Sequence, residues 1–329
     1  MELKLSNLQR TGRLYGGSLF SLAFNIGGLV AGILLATSTS VISSVRWGLL
    51  LYPSILSVRG AIGGVFSGRL STGLHLGTMK PHLTDNTKEF SILVISVAFL
   101  SVLSGTILWA YSCGFGILVI GLKPTEIISM FIVMLATMGS SLLVISPITF
   151  LVSFVSLRRG LDPDVVTYPI ISTTADILVT VIYLSFIVLS KSTVSMMLIL
   201  AFVAIFIVVT GKIAWTRREQ KTLRRTVKEF LSVLFFVGFL VNITGSSLER
   251  ISRVVTNAPH IYAVFPAIIS TVGDVGSIIG STATTKLGLG TMGASLASFR
   301  KQAPEIGSAW AASITWFFGY SIIASWLFG

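Results

Sequence analysis

Apolar residues fall in nine long runs separated by short polar or basic stretches. The runs are roughly 15–41, 47–78, 90–120, 125–157, 165–190, 193–213, 230–248, 258–290 and 306–328. A helix needs about 20 consecutive apolar residues to cross a bilayer. The pattern therefore predicts an all-α polytopic membrane protein with about nine transmembrane helices. Runs two, four and eight exceed a straight span. Tilting, or breaks at their Pro and Gly residues, absorbs the excess.

Composition agrees. The chain is 53% hydrophobic and 11% charged, with mean hydropathy +0.89. A soluble core needs far less apolar surface. The single Cys113 excludes an internal disulfide and a thiolate metal cluster. His75, His82 and His260 lie too far apart in sequence to suggest a zinc site. The start, MELKLSNLQRTGR, is basic and polar, and the apolar run after it is too long for a cleaved signal.

Charge then orients the chain. With the N-terminus in the cytoplasm, 17 Lys and Arg fall in inner loops and five in outer loops, while Arg59 and Arg69 lie within run two. That bias is the positive-inside pattern, and it puts the C-terminus outside. The expected location is the plasma membrane. The +12 net charge thus reads as topology. Nucleic acid is not an expected partner, because no aromatic stacking platform accompanies the basic residues. The dense run over 212–228 is suited to anionic lipid headgroups.

An internal repeat is present. Residues 51–79 align without a gap to 264–292, and 11 of 29 positions are identical. Among them are Pro53/Pro266, Gly60/Gly273, Gly63/Gly276 and the shared Gly-Thr-Met at 77–79 and 290–292. Asn25-Ile-Gly-Gly in run one and Asn242-Ile-Thr-Gly in run seven mark the same point of each copy. Six helices precede the second copy, so the two copies run parallel about an axis along the membrane normal. The expected organisation is a first repeat over 1–190, a linker helix and basic cytoplasmic segment over 191–229, and a partial second repeat over 230–329.

Two acids fall inside apolar runs: Asp176 and Asp274. The other ten acids are read as loop or segment-end residues. An intramembrane carboxylate marks a functional site by default. Pro169, Thr173, Asp176, Thr180 and Tyr183 share one helical face. Asp162 and Asp164 stand at its inner mouth, where they concentrate cations. Pro53 and Pro266 free a backbone carbonyl in runs two and eight. Gly60, Gly63, Gly273 and Gly276 are read as sites of close helix approach, and Gly60 and Gly273 together with Thr173, Asp176 and Asp274 as the candidate metal site. The donor set is all oxygen, which suits a hard cation, and a partly hydrated Mg²⁺ better than a dehydrated Ca²⁺. His75 is read as a pore-mouth or packing residue. No resident cofactor is expected. The plain alternative makes the acids structural, Asp176 paired with Arg59 or Arg69 and Asp274 with Lys286, and the stripe on run five helix–helix glue. Proton- or Na⁺-coupled transport of another solute and a non-transporting membrane scaffold also stay open. No Ser-Lys pair, H-E-x-x-H or G-x-S-x-G motif suggests an intramembrane enzyme.

Two stretches carry a family resemblance. PSILSVRGAIGGVFSGRLSTGLHLG (53–77) resembles the second-helix signature of the MgtE divalent-cation transporters and their animal solute-carrier relatives. LDPDVVTYPIISTTADILVT (161–180) is similar to their fifth-helix signature. The resemblance implies a five-helix unit whose second and fifth helices line a Mg²⁺ path, with Asp176 as pore acid and Asp274 in the Asn/Asp position of the other copy. Ala61 departs from the Asn or Asp of the family, and Thr282 stands where the first copy has Arg69. Counterparts of helices four and five are lacking in the second copy, and no cytosolic sensing domain is found. Three arrangements stay open: a truncated form, an asymmetric site of one Asp176 and one Asp274, and a homodimer in which two chains complete each other.

Overall fold

The computed structural model describes residues 2–82, 85–159, 163–254, 259–288, 290–293, 295, 298, 300 and 302–328. Among these the regular structure is helical: α1 (Glu2–Ala23), α2 (Ile26–Thr37), a short α3 (Thr39–Ile42), α4 (Gly48–His75), α5 (Lys88–Phe115), α6 (Pro124–Arg158), α7 (Pro163–Leu189), α8 (Thr193–Thr216), α9 (Lys221–Val254), α10 (Pro259–Gly288) and α11 (Ala303–Phe328). A five-residue π-helical turn, Gly116–Ile120, extends α5. Nine stretches of the described residues are long and apolar enough to cross a membrane. They match the nine runs read from hydropathy. Two details differ. Run one is broken at Phe24–Asn25, and run seven begins earlier, at Lys221, because a basic amphipathic turn precedes its apolar part.

The chain divides into two compact units, Met1–Ile33 with Pro259–Gly329, and Leu34–Ala258. The larger unit is built round α4, which packs on α5, α6, α7 and α9. Leu50, Leu51, Tyr52, Ile55, Val58 and Leu70 of α4 are wholly buried. A helix apolar on all sides needs such a central place. The aromatic rings of Phe66, Phe90 and Phe150 meet at centroid distances of 4.8 to 5.2 Å and lock α4, α5 and α6 together. On the far side of α6, Leu135 and Ala136 pack on Ile199 and Val203 of α8.

The smaller unit joins α1, α10 and α11. Leu22, Val275, Ala309 and Ala312 form one apolar cluster, and Leu29, Ala267 and Tyr320 another.

The repeat is visible in backbone detail. Gly77 and Gly290 close α4 and α10, each at φ +68°. Only glycine enters that region without steric cost. Gly77 N–H donates to the Leu74 carbonyl at 3.2 Å, and Gly290 N–H to Leu287 at 3.1 Å. Met79 N–H reaches the Gly73 carbonyl at 3.0 Å, and Met292 N–H reaches Lys286 at 3.2 Å. The Thr78 and Thr291 hydroxyls donate to those same two carbonyls. Each bond in one copy has its counterpart 213 positions on.

Close helix approach occurs at other glycines than those expected. A Cβ on Gly60, Gly273 or Gly276 would meet open space, and one on Gly63 only the Arg59 guanidinium. A Cβ on Gly28 would lie 2.8 Å from Ala267 Cα, and one on Gly32 would collide with the Ala263 carbonyl. In the larger unit, a Cβ on Gly245 would strike the Leu50 carbonyl. Leu50 and Ala263 are repeat equivalents. So α2 lies on α10 and α9 lies on α4: the first helix of each copy packs on the second helix of the other.

Candidate functional site

On the face read from the 3.6-residue period of α7, Thr180 and Tyr183 bond residues of α4. Asp176 is the midpoint of α7, thirteen residues from either end, or roughly 20 Å at 1.5 Å per residue. It is 4% exposed. One turn on, Thr180 donates its hydroxyl hydrogen bond to the Asp176 main-chain carbonyl at 2.6 Å. The Thr180 and Tyr52 hydroxyls are 2.8 Å apart. Tyr52 stacks on Tyr183 at 6.0 Å between centroids and 27° between planes. Tyr183 donates to the Gly48 carbonyl at 2.8 Å. Tyr52, Thr180 and Tyr183 are fully buried. Asp176 lies within electrostatic reach of the Tyr52 phenol. Pro53, next to Tyr52, lies inside α4, where it withholds the N–H that Leu49 would otherwise accept.

Sequence reasoning missed Glu249. It was placed at a segment end, one residue past a run drawn to 248. In the structure α9 continues to Val254, and Glu249 is 8% exposed. Gly245 sets the α9 backbone against Leu50, so Glu249, one turn later, stands level with the first turn of α4. It lies within electrostatic reach of Tyr183. The period of Asn242, Gly245 or Ser246, and Glu249 was the available signal. Asn242 accepts a hydrogen bond from Ser112 at 2.6 Å, which pins that stripe of α9 to α5.

Of the arginines weighed as partners of Asp176, Arg69 bonds the Thr226 hydroxyl and lies 3.8 Å from Glu229, both on α9. Arg59 is buried in mid-α4 and borders a small cavity with Ser141 and Thr149 of α6.

Asp274 stands in the smaller unit, at the middle of α10. It is half-buried and lies within electrostatic reach of Tyr320. Thr271, one turn before it, accepts from the Asn25 amide at 3.3 Å and lies 3.2 Å from the Tyr320 hydroxyl. Lys286 pairs with the buried Glu305 at 2.9 Å. Each unit thus sets a mid-helix aspartate beside a threonine–tyrosine hydrogen bond.

Of the residues singled out in the sequence, Thr180 bonds Tyr52 at the α4–α7 face one turn from Asp176, Pro53 follows Tyr52 inside α4, and Thr173 lies one turn before Asp176 on a half-buried position. Gly60 lies two turns beyond Tyr52 on α4, beside open space. Pro266 and Gly273 belong to the other unit with Asp274. His75 is exposed at the C-terminal end of α4, its Nδ1 3.0 Å from the Ser71 carbonyl of its own helix. The side chains of Asp164 and Pro169, and the whole of Asp162, lie outside the described residues.

Chemically the α4–α7 face offers one carboxylate with hydroxyl and carbonyl oxygens around it. Oxygen donors bind hard cations such as Mg²⁺ and Ca²⁺, and soft metals prefer sulfur or imidazole. Among the described residues no three His, Cys, Asp or Glu side chains cluster as a metal cage.

No curated protein and no solved structure matches the chain. A family model does, over residues 52–186. That stretch begins at Tyr52 and runs past Tyr183, so it takes in the whole tyrosine–threonine–aspartate face. The model that matches residues 52–186 of this integral membrane protein is described as MgtE, divalent cation transporter.

Proposed function

We propose that the protein carries Mg²⁺ across the plasma membrane along the α4–α7 face, with Asp176 as the central cation ligand. The observation that carries this reading is the burial of Asp176 at the midpoint of a membrane-spanning helix. On insertion scales such a residue costs about 2.5–3.5 kcal/mol at the bilayer centre. A site that binds a passing cation offsets that cost. Mg²⁺ keeps several waters and takes one or two carboxylates, and a single acid ringed by hydroxyls suits it better than Ca²⁺, which wants six to eight oxygens. Glu249 supplies a second negative charge at the end of the path where α4 begins. The Tyr52–Tyr183 stack fills the space between the two acids and acts as the gate that must part for passage. By the positive-inside pattern the N-terminus is cytoplasmic, so Glu249 stands on the outer side of Asp176.

One observation favours a rival. The hydroxyls of Tyr52, Thr180 and Tyr183 all have partners, as in a helix interface that only holds the fold. Mg²⁺ flux into proteoliposomes containing a Mg²⁺-sensitive dye separates the two readings. Asp176→Ala should cut the flux at least tenfold while the protein stays monodisperse. Equal flux in the variant would end the claim for Asp176.

A further inference from the structure

A groove of about 390 Å³ opens between α5, α8 and the start of α9. It belongs to neither copy's acid-bearing face. Its walls are apolar, with Phe99 from α5 and Leu223 and Leu231 from α9. Its rim is cationic: Arg218, Arg224 and Lys228 all border it. The three cations are not equally engaged. Glu219 lies 3.4 Å from both Arg218 and Arg224, and Arg224 Nε also donates to the Arg218 carbonyl at 2.7 Å. Lys228 is exposed, with no hydrogen bond or ion pair of its side chain among the described residues. The one acid leaves the rim with a surplus of positive charge. Trp215 is 70% exposed at the end of α8, with the Arg218 guanidinium 4.2 Å above its ring. An amphipathic ring at the end of a spanning helix is the mark of the headgroup level of a bilayer.

We infer that this groove is a binding site for one anionic phospholipid, its phosphate held by Lys228, Arg218 and Arg224 and an acyl chain lying on Phe99, Leu223 and Leu231. Two features favour a lipid over a soluble phosphate compound. The groove is apolar below its rim, and it lies between helices that span the membrane. An ion needs only the rim, and a lipid uses both parts. A basic cluster attracts an anionic membrane surface in any case. The groove adds a shaped place where one lipid stays, and Trp215 stands beside it as a reporter. The inference does not depend on the cargo or on Asp176.

Tryptophan quenching tests it on the full chain in nanodiscs. The quenchable signal of Trp215 is the difference between the protein and Trp215→Phe. Brominated phosphatidylglycerol, at a small mole fraction in phosphatidylcholine, should quench that signal several-fold more than brominated phosphatidylcholine does. Lys228→Gln should weaken the preference about fivefold, the share of one cation near an anionic surface. Lys228→Gln with Arg224→Gln should abolish it. Lys191→Gln, at the opposite end of α8, should leave it intact and shows that total charge is not the cause. Equal quenching by the two lipids would overturn the inference. So would displacement of the brominated lipid by millimolar inorganic phosphate, which would make the groove a soluble-phosphate site. Retention of the preference in the double variant would overturn it as well.

Discussion

The Tyr52 and Thr180 hydroxyls meet 2.8 Å apart across the α4–α7 interface, one turn from Asp176. Neither side chain touches water. Hydrogen bonds between membrane helices average about 0.6 kcal/mol and reach about 1.7 kcal/mol in double-mutant cycles. Tyr52→Phe and Thr180→Val should each lower stability by about 1 kcal/mol, and the pair should lose less than the sum. Unfolding in mixed micelles measures the cycle. Strict additivity would mean that the two hydroxyls do not share a bond. Tyr52→Phe keeps the stack on Tyr183, so flux should change less than in Tyr52→Ala, which removes the ring.

Glu249 offers a sharper test of the path than of the fold. It lies outside the 52–186 match yet stands buried beside Tyr183. Glu249→Gln keeps shape and removes charge. If the residue concentrates cations at the end of the path, the variant should need about three- to tenfold more Mg²⁺ for half-maximal flux, at unchanged abundance. A structural acid at the start of α4 would behave otherwise, with lower abundance and an unchanged concentration dependence. Combined with Asp176→Asn, the charge loss should add little, because the central site is already gone.

Hydropathy made the nine spans legible, because lipid leaves helices little alternative. The α4–α7 face was legible too. The period of α7 set Thr180 and Tyr183 with Asp176, and each proved to bond α4. Glu249 was not legible from run length, because an acid near a helix end looks solvated until the helix is seen to continue. Glycine roles failed for a related reason. Composition says that a glycine permits close approach and not which neighbour arrives. Gly60 borders open space, and Gly245 carries the contact. The pairing of Lys286 with Glu305 was likewise beyond sequence, since it depends on how α10 meets α11.

That ion pair makes its own prediction. Glu305 is 5% exposed, and the Lys286 ammonium lies 2.9 Å from its carboxylate. Removing one partner of a buried pair costs about 3–5 kcal/mol, while replacing both by apolar groups of similar size is often neutral. Glu305→Gln should therefore destabilise the protein strongly, and Lys286→Met with Glu305→Leu should recover most of the loss. Thermal unfolding followed by fluorescence reads both. A double variant as unstable as the single one would assign the cost to packing and not to charge.

The exchange of first helices between the two copies rests on glycines, and it can be broken at each end separately. Gly32 lets α2 reach the Ala263 carbonyl in the smaller unit, and Gly245 lets α9 reach the equivalent Leu50 carbonyl in the larger. In both places the obstacle to a side chain is backbone, which cannot rotate away. Overpacking typically costs about 1–3 kcal/mol where side chains can adjust. Here the cost should reach the upper end or beyond. Gly32→Val and Gly245→Val should each lower the folded yield severely, and since they share no partner their effects on stability should add. Gly60→Ala and Gly273→Ala are the controls, because both face open space. Each should fold as well as the parent. Size-exclusion profiles of detergent extracts give the folded fraction. A normal profile for Gly245→Val would show that α9 does not lie on α4, and the placing of Glu249 beside Tyr183 would fall with it.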